Sequence, residues 1–285
     1  MDYLVEDLGP QARVLDLGAG GGSFNYSATL AKVLAIDLDF PKTPPPSNAR
    51  RILAVALRLP LRSASVDAVV CNHTLEHFED LAAVLGELGR VLRPGGMLWA
   101  AVPDGYSIDD RLYRYIFDGG GHVNQFRFED FLQVVEREAG VRAEASKGLN
   151  SGFVYLYPPQ VEKLPFYSQR ARRLAELPPK WLRRASVLLN YLARTLEKAG
   201  WRGLSRYGWG VVFRRFDDRS GEPPRRGARL STQPEYWNVC CHCGAGNPAP
   251  KLRPYLKRVF LWVKIYRCPG CGQANLFSHP PRRSS

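Results

Sequence analysis

The stretch Arg13-Val14-Leu15-Asp16-Leu17-Gly18-Ala19-Gly20-Gly21-Gly22 decides how this chain is read. Residues 13–17 form a short apolar run that reads as a buried strand. Four glycines follow within five positions. A side chain in such a turn blocks a ligand from the backbone, and the turn needs φ/ψ values that glycine reaches without strain. An acidic-x-Gly-x-Gly-x-Gly pattern after a strand, with a helix expected over 23–33, marks a nucleotide pocket. NAD and FAD sites share glycine-rich turns, but the third glycine of their fingerprint falls at Ser23, a mismatch. Asp16 precedes the first glycine. It can meet a charged amino group on a ligand or hold the loop through backbone N–H groups.

Working outward, residues 33–36 read as a second strand ending at Asp37, followed by a Pro-rich surface loop, PKTPPPSN. Further strands are expected over 51–56, 66–72 and 97–102. Residues 81–92 have helical spacing and stop at Arg93-Pro94-Gly95-Gly96. Another amphipathic helix spans 129–139, with Phe131, Leu132 and Val135 on one side. Residues 141–145, 152–157 and 208–213 look strand-like. Strands alternating with helices predict a mostly parallel sheet covered on both faces, with the ends of strands one to five forming a ligand-binding rim. On that rim the Asp37 carboxylate can accept both hydroxyls of a ribose, with Asp39 as a weaker substitute; the plainer reading of Asp37 is a solvated helix-entry residue.

The chain has 285 residues, enough for one large α/β domain and a small module. Its charge is divided. Residues 1–159 carry a net −5, whereas residues 160–285 carry +18. The second part therefore suits an anion: nucleic acid, lipid headgroups or another acidic partner. Residues 158–207 read as a basic helical insertion or lid, whose stripe Leu182, Ala185, Leu189, Leu192 and Leu196 is expected to pack on the sheet; a membrane-surface helix is the alternative. Residues 217–234 are a polar linker. No window is apolar enough to span a bilayer and no secretory start is seen, so a cytoplasmic protein is expected.

Five of the six cysteines fall in the last 46 residues. Cys240-x-x-Cys243 and Cys268-x-x-Cys271 form two pairs, each followed by a glycine that permits the turn aiming backbone N–H groups at sulfur. Four thiolates suit a closed, structural tetrahedral Zn²⁺, with Cys241 as the spare and His242 as a lesser ligand. The spacer, with its alternating LKRVFLWVKIYR, resembles that of a zinc ribbon over residues 235–285. Arg253, Lys257, Arg258, Lys264 and Arg267 beside Tyr255, Phe260, Trp262 and Tyr266 can supply phosphate contacts and base stacking, or simply a solvated basic face. Cys71 reads as a buried strand residue.

RVLDLGAGGGSF, AIDLD, LRLPLRSASVDAVVCNHTLEH, LGELGRVLRPGGMLWAAVP and GHVNQFRFEDF, in that order, resemble class I methyltransferases that use S-adenosylmethionine (SAM), in the branch called methyltransferase type 11. The resemblance covers about residues 12–157 and a strand near 208–214, within a domain expected over residues 1–216. It implies an α/β, Rossmann-like sheet of seven mostly parallel strands, the last antiparallel. It also implies roles: Asp16, Gly18, Ala19, Gly20 and Gly22 at the methionine end of SAM, Asp37 on the ribose, Ala56 and Leu57 around the adenine, Asn72 and His73 near the sulfonium. The chain departs from the family at Val55-Ala56, where relatives often have an acidic residue, and in its short start before the glycine loop, for which the helical segment is a substitute or which marks a truncated product. Methyl transfer is an in-line displacement that needs chiefly positioning, with a base only for a reluctant proton. The candidate bases on the rim are His122, in a glycine-rich loop, His73, Glu76 and His77. Glu76 and His77 are expected to begin the helix after the fourth strand, where a carboxylate suits the helix dipole. The expected acceptor is a small molecule or a glycan or lipid intermediate, with RNA or protein as options. The rival reading is a non-catalytic methyltransferase-like protein whose ribbon docks on nucleic acid.

Overall fold

The computed structural model describes residues 4–150, 153, 156, 168–199, 201, 204, 206–216, 235–240, 245–260 and 263–278. The chain divides into two compact units, each built from several chain segments. The first comprises Met1–Val102, Phe126–Ser146 and Gly210–Pro234; the second comprises Pro103–Gln125, Lys147–Trp209 and Glu235–Ser285.

The first unit is organised by a sheet. Its strands are β1 (Arg13–Leu17), β2 (Lys32–Asp37), β3 (Ala49–Leu53), β4 (Val66–Asn72), β5 (Leu92–Pro103), β6 (Val141–Asn150) and β7 (Arg206–Arg215), in the order β3-β2-β1-β4-β5-β7-β6. The pairs β1–β2, β1–β4, β2–β3 and β4–β5 are parallel. Val14, Leu15, Val69, Val70, Leu98 and Ala100 are almost wholly buried, as near-continuous apolar runs require when both faces of a sheet are covered. Helix α1 (Leu81–Val91) starts at Asp80, whose side chain caps the Ala83 amide, and packs against α3 (Phe128–Ala139), which ends at the left-handed Gly140.

Two expectations fail between the strands. Residues 23–33 do not form a helix: a single 3-10 turn, Tyr26–Ala28, joins β1 to β2. The segment is short, and the Asn25 side chain accepts the Ser27 amide, holding a local turn instead of a helix. Glu76 and His77 do not begin α1 either. They lie in a separate 3-10 turn, Leu75–His77, and Glu76 is fully buried.

The second unit contains α2 (Ile108–Phe117), α4 (Gln169–Ala175) and α5 (Pro179–Lys198). Phe117, Phe153, Leu156, Ala171 and Ala193 form its helical core. In the span 152–157, Phe153 has a positive φ and Leu156 lies in a helical turn, so neither continues a strand; the other four lie outside the described residues. Strand β8 (Glu235–Val239) pairs in parallel with Lys147–Asn150, and β9 (Gly246–Pro248) pairs antiparallel with β8, so the strand order runs beyond the seven expected. The alternating spacer forms a hairpin of β10 (Leu256–Phe260) and β11 (Val263–Arg267), joined by β12 (Ala274–Leu276). Arg194 of α5 donates to Ser278 Oγ at 2.9 Å and to the Leu276 carbonyl at 3.1 Å, tying the helix to this small sheet.

Candidate functional site

The first unit gathers its predicted residues on the rim where β1, β2, β3 and β4 end. Asp16 is fully buried. Its Oδ2 accepts the Ser23 amide at 2.9 Å and the Tyr26 hydroxyl at 2.7 Å. Its Oδ1 is buried and accepts no hydrogen bond among the described residues. Burial raises the Asp16 pKa above the ordinary carboxylate range; the side chains of Ser23 and Tyr26 and the Ser23 amide only partly offset it. Burial and the Asp16 charge also push the Tyr26 phenol up, so that it stays a donor. A buried carboxylate oxygen is costly to leave without a donor, so Oδ1 fits a cationic group.

The glycine loop folds over this carboxylate. Gly18 and Ala19 donate to the Ile36 carbonyl at 2.9 and 3.2 Å, and Gly20 donates to Asp37 Oδ2 at 2.6 Å. Gly18 has φ +66°, and a Cβ there would come within 2.3 Å of the Thr74 methyl. Thr74 cannot easily yield, because its hydroxyl donates to the Leu17 carbonyl. Glycine at 18 therefore serves the contact between loop and β4 as well as the turn. Gly22 also has a positive φ. Asp37 accepts the Leu38 amide through Oδ1 at 2.6 Å. The same Oδ1 accepts the Asp39 amide at 3.4 Å, while Oδ2, with the Gly20 amide alone, keeps a lone pair for a further donor.

Ala56 and Leu57 follow the end of β3, whose Leu53 pairs with Asp37. Leu57, Val55, Leu53 and Leu38 are all exposed. Such apolar side chains along one rim suit the faces of a flat ring. Leu38 was not singled out from sequence; its place directly after Asp37 was the available signal. Asn72 ends β4. His73 follows with φ +53°, an unusual conformation for a side-chain-bearing residue, and its amide donates to the Ala101 carbonyl. His73 Nδ1 lies 3.5 Å from the buried Glu76 carboxylate. Glu76 therefore faces a histidine rather than complementing a helix dipole. Cys71 is buried and its thiol is pushed well above its ordinary range, which suits a packing role.

His122 lies in the second unit. Its Nδ1 is 2.9 Å from Asp110 Oδ1, and its ring stacks on Tyr113 with centroids 4.7 Å apart. Asp110 Oδ2 accepts Arg114 Nε at 2.6 Å, and Arg114 reaches back to the carbonyls of His122 and Asn124. Burial works against the Asp110 carboxylate, but the hydrogen bonds from His122 and Arg114 outweigh it and lower the pKa. The loop that carries His122 needs left-handed residues from 118 to 121, and a Cβ on Gly120 would strike the Tyr113 ring. Asp110 and Arg114 were missed in the sequence. Their signals were the i,i+4 spacing and the Ser107-x-x-Asp110 capping pattern that opens α2.

Among the four predicted metal ligands, Cys240, Cys268 and Cys271 have their sulfurs within 4.8 Å of one another; Cys243 lies outside the described residues. Cys240 and Cys271 sulfurs are 3.7 Å apart. That is far from the ~2.05 Å of a disulfide and close to the ~3.8 Å edge of a tetrahedron with ~2.3 Å metal–sulfur bonds. Turn hydrogen bonds from Cys240 to Ala245 and from Gly272 to Cys268 shape the two knuckles. Of the aromatic residues expected to stack on bases, Tyr266 is fully buried in the core around Cys240 and Cys268 and cannot do so. Arg253, Lys257, Arg258 and Arg267 are exposed.

Residues 15–100 match the family model described as a methyltransferase domain. The chain is 34% identical over 175 residues to a ubiquinone biosynthesis O-methyltransferase of Xylella fastidiosa (strain M23), covering 52% of this chain and 69% of that one. It is 36% identical over 135 residues to the malonyl-[acyl-carrier protein] O-methyltransferase of Methylococcus capsulatus, covering 43% and 49%. It is 29% identical over 153 residues to the bifunctional biotin biosynthesis protein BioHC of Cellvibrio japonicus, covering 51% and 30%. The chain thus spans half or less of the length of two of these relatives. A crystal structure of a methyltransferase-like protein from Bacillus halodurans C-125 shares the fold, with TM-score 0.50 at 19% identity over 76% of this chain and 97% of that one.

Proposed function

Since this chain belongs to the class I SAM-dependent methyltransferases, we propose that it transfers a methyl group from SAM to an oxygen of a small-molecule or lipid-like acceptor. The orphaned Asp16 Oδ1 carries this reading: a buried carboxylate lacking a donor suits the ammonium of the methionine moiety. When bound, SAM supplies a methyl group on a sulfonium that is already a good leaving centre. The chain supplies the cradle. Gly18, Ala19, Gly20 and Gly22 present backbone, Asp37 accepts the ribose hydroxyls, and Ala56, Leu57 and Leu38 flank the adenine. Asn72 and His73 stand at the end of β4, toward the reacting end. An oxygen acceptor carries a proton to be removed as the bond forms. His122 is our first candidate proton acceptor, because its Nδ1 is held at 2.9 Å by Asp110 Oδ1, with His73 as the second candidate. Choice of oxygen rests on the relatives' names, which are those of O-methyltransferases; those names also speak against a non-catalytic protein.

Cys240, Cys243, Cys268 and Cys271 hold a structural Zn²⁺ in this reading, supported by the 3.7 Å sulfur separation. Two measurements test the proposal. Calorimetry should show SAM binding that Asp16→Ala weakens by roughly 10- to 100-fold, the range for losing a hydrogen bond to a charged group; no SAM binding by the unaltered protein sinks it. Elemental analysis should find one zinc per chain, lost in Cys268→Ser.

A further inference from the structure

Helix α5 has two faces of different character. Leu182, Ser186, Asn190 and Ala193 are buried. Of the stripe expected to pack inward, Leu182 is buried and Leu189 packs on the helical core, whereas Ala185, Leu192 and Leu196 are exposed. Trp181, Ala185, Leu188, Leu192 and Leu196 recur at steps of three or four residues and share one side of the helix. Trp181 is 53% exposed, Leu188 56%, Leu192 46% and Leu196 41%. The inward face thus mixes Leu182 and Leu189 with Ser186, Asn190 and Ala193, and leaves a second apolar side facing outward. A contiguous apolar stripe of this size in water marks a contact surface.

The charge around the stripe narrows the partner. Residues 168–199 carry eight basic and two acidic side chains. Lys180 and Arg184 flank the stripe, and the Arg184 guanidinium lies over the Trp181 ring, 5.4 Å from its centroid. Arg172 and Arg173 of α4 are exposed as well. A second copy of this chain would bring like charges together, which opposes self-association. An open groove of about 550 Å³ adjoins the stripe, bordered by Ile116, Leu174, Leu177, Pro178, Trp181 and Leu182, and its lining side chains are all apolar. Such a groove offers no polar group to a phosphate and suits a hydrocarbon chain.

We propose that α4 and α5 seat the protein on an anionic lipid bilayer, with Trp181, Leu188, Leu192 and Leu196 in the headgroup–acyl boundary and the flanking cations on lipid phosphates. Tryptophan and leucine on one face with basic residues beside them is the pattern of a helix that lies in the interface. No described helix is long and apolar enough to cross a membrane. The inference does not rest on the methyl-transfer reading.

Co-sedimentation of the full chain with vesicles tests it. The protein should pellet with phosphatidylcholine vesicles containing about one third phosphatidylglycerol, much less with phosphatidylcholine alone, and less as salt rises. Leu188→Asp and Leu192→Asp should each lower partitioning by roughly tenfold or more. Arg184→Glu, which leaves the stripe intact, should weaken binding and flatten its salt dependence. SAM affinity of Leu188→Asp should match that of the unaltered protein, so failure here is separable from failure of the enzyme assignment. Absence of pelleting on the phosphatidylglycerol-containing vesicles, or undiminished pelleting of Leu188→Asp, overturns the proposal. So does a dimer in sedimentation velocity that Leu188→Asp splits, or binding to an RNA duplex that the stripe variants do not alter while vesicles bind nothing.

Discussion

Asp16 in the first unit and Asp110 in the second are both buried carboxylates, held in opposite ways. Asp110 has its cations at hand: His122 on one oxygen and Arg114 on the other. Asp16 has only neutral donors on one oxygen and none on the other. Their pKa values accordingly move apart, Asp110 down and Asp16 up. A satisfied carboxylate is part of the architecture; an unsatisfied one is where the protein expects something from outside. The largest expected effect probes the first kind. Asp110→Ala strands Arg114 and should cost roughly 3–5 kcal/mol of stability, the range for breaking a buried pair from one side. Urea unfolding measures it. A loss below about 1 kcal/mol would mean that Asp110 is not the keystone of α2 and its loop.

The two regions were not equally legible in the sequence. Asp16, Gly18, Gly20 and Asp37 stand within 25 residues, and strands β1 and β2 place them together by local pairing. Local pattern and tertiary result agree there. The helix expected after the loop was misjudged because the glycines were read as its lead-in, whereas Asn25 capped a short turn. In the second unit, the site around His122 depends on Asp110 and Arg114 of a helix rich in charge, whose apolar positions Leu112, Ile116 and Phe117 gave no clear stripe. The stripe of α5 was visible, but only Leu182 and Leu189 of it turn inward as expected. Periodicity shows that a helix has an apolar face; only packing shows whether that face meets a core.

Asp16 probes the second kind. Asp16→Asn keeps an acceptor for Ser23 and Tyr26 and puts a neutral amide where Oδ1 is orphaned. Without cofactor, the variant should be as stable as the parent or more so. SAM binding should nevertheless fall by roughly 10- to 100-fold. Equal loss of stability and affinity would make Asp16 a structural residue only. The pH dependences should diverge likewise. Asp110, with its lowered pKa, contributes stability that is present above the unfolded value of about 3.9 and lost as pH falls through the folded value. Asp16, with its raised pKa, contributes stability that is full below about 3.9 and lost as pH rises through its folded value. SAM affinity should therefore rise with pH, by up to about tenfold per unit, until Asp16 is ionised. Asp16→Asn should flatten that rise, and an unchanged slope would place the titrating group elsewhere.

Gly18→Ala comes next. The added methyl group meets Thr74 at 2.3 Å and must sit at φ +66°. A cost of about 1–3 kcal/mol is expected from overpacking. Thr74→Ser removes the methyl group that is struck first and should recover part of the loss in the double variant. No recovery would assign the cost to the backbone turn alone.

The smallest effect concerns what holds Asp110 in place. Ser107 caps α2, its Oγ accepting the Asp110 amide at 3.0 Å, and the hydroxyl is nearly buried. Ser107→Ala leaves that amide without its partner and should cost about 1 kcal/mol, while Ser107→Thr keeps the acceptor and most of the stability. Because the same residue supplies the capped amide and the carboxylate that His122 and Arg114 share, fraying of this first turn loosens the charge cluster with it. Ser107→Ala should then also raise the pH at which stability is lost on acidification, since a less firmly held Asp110 gives up part of its lowered pKa. A cap variant that loses stability equally at every pH would show that the turn and the charge cluster are independent.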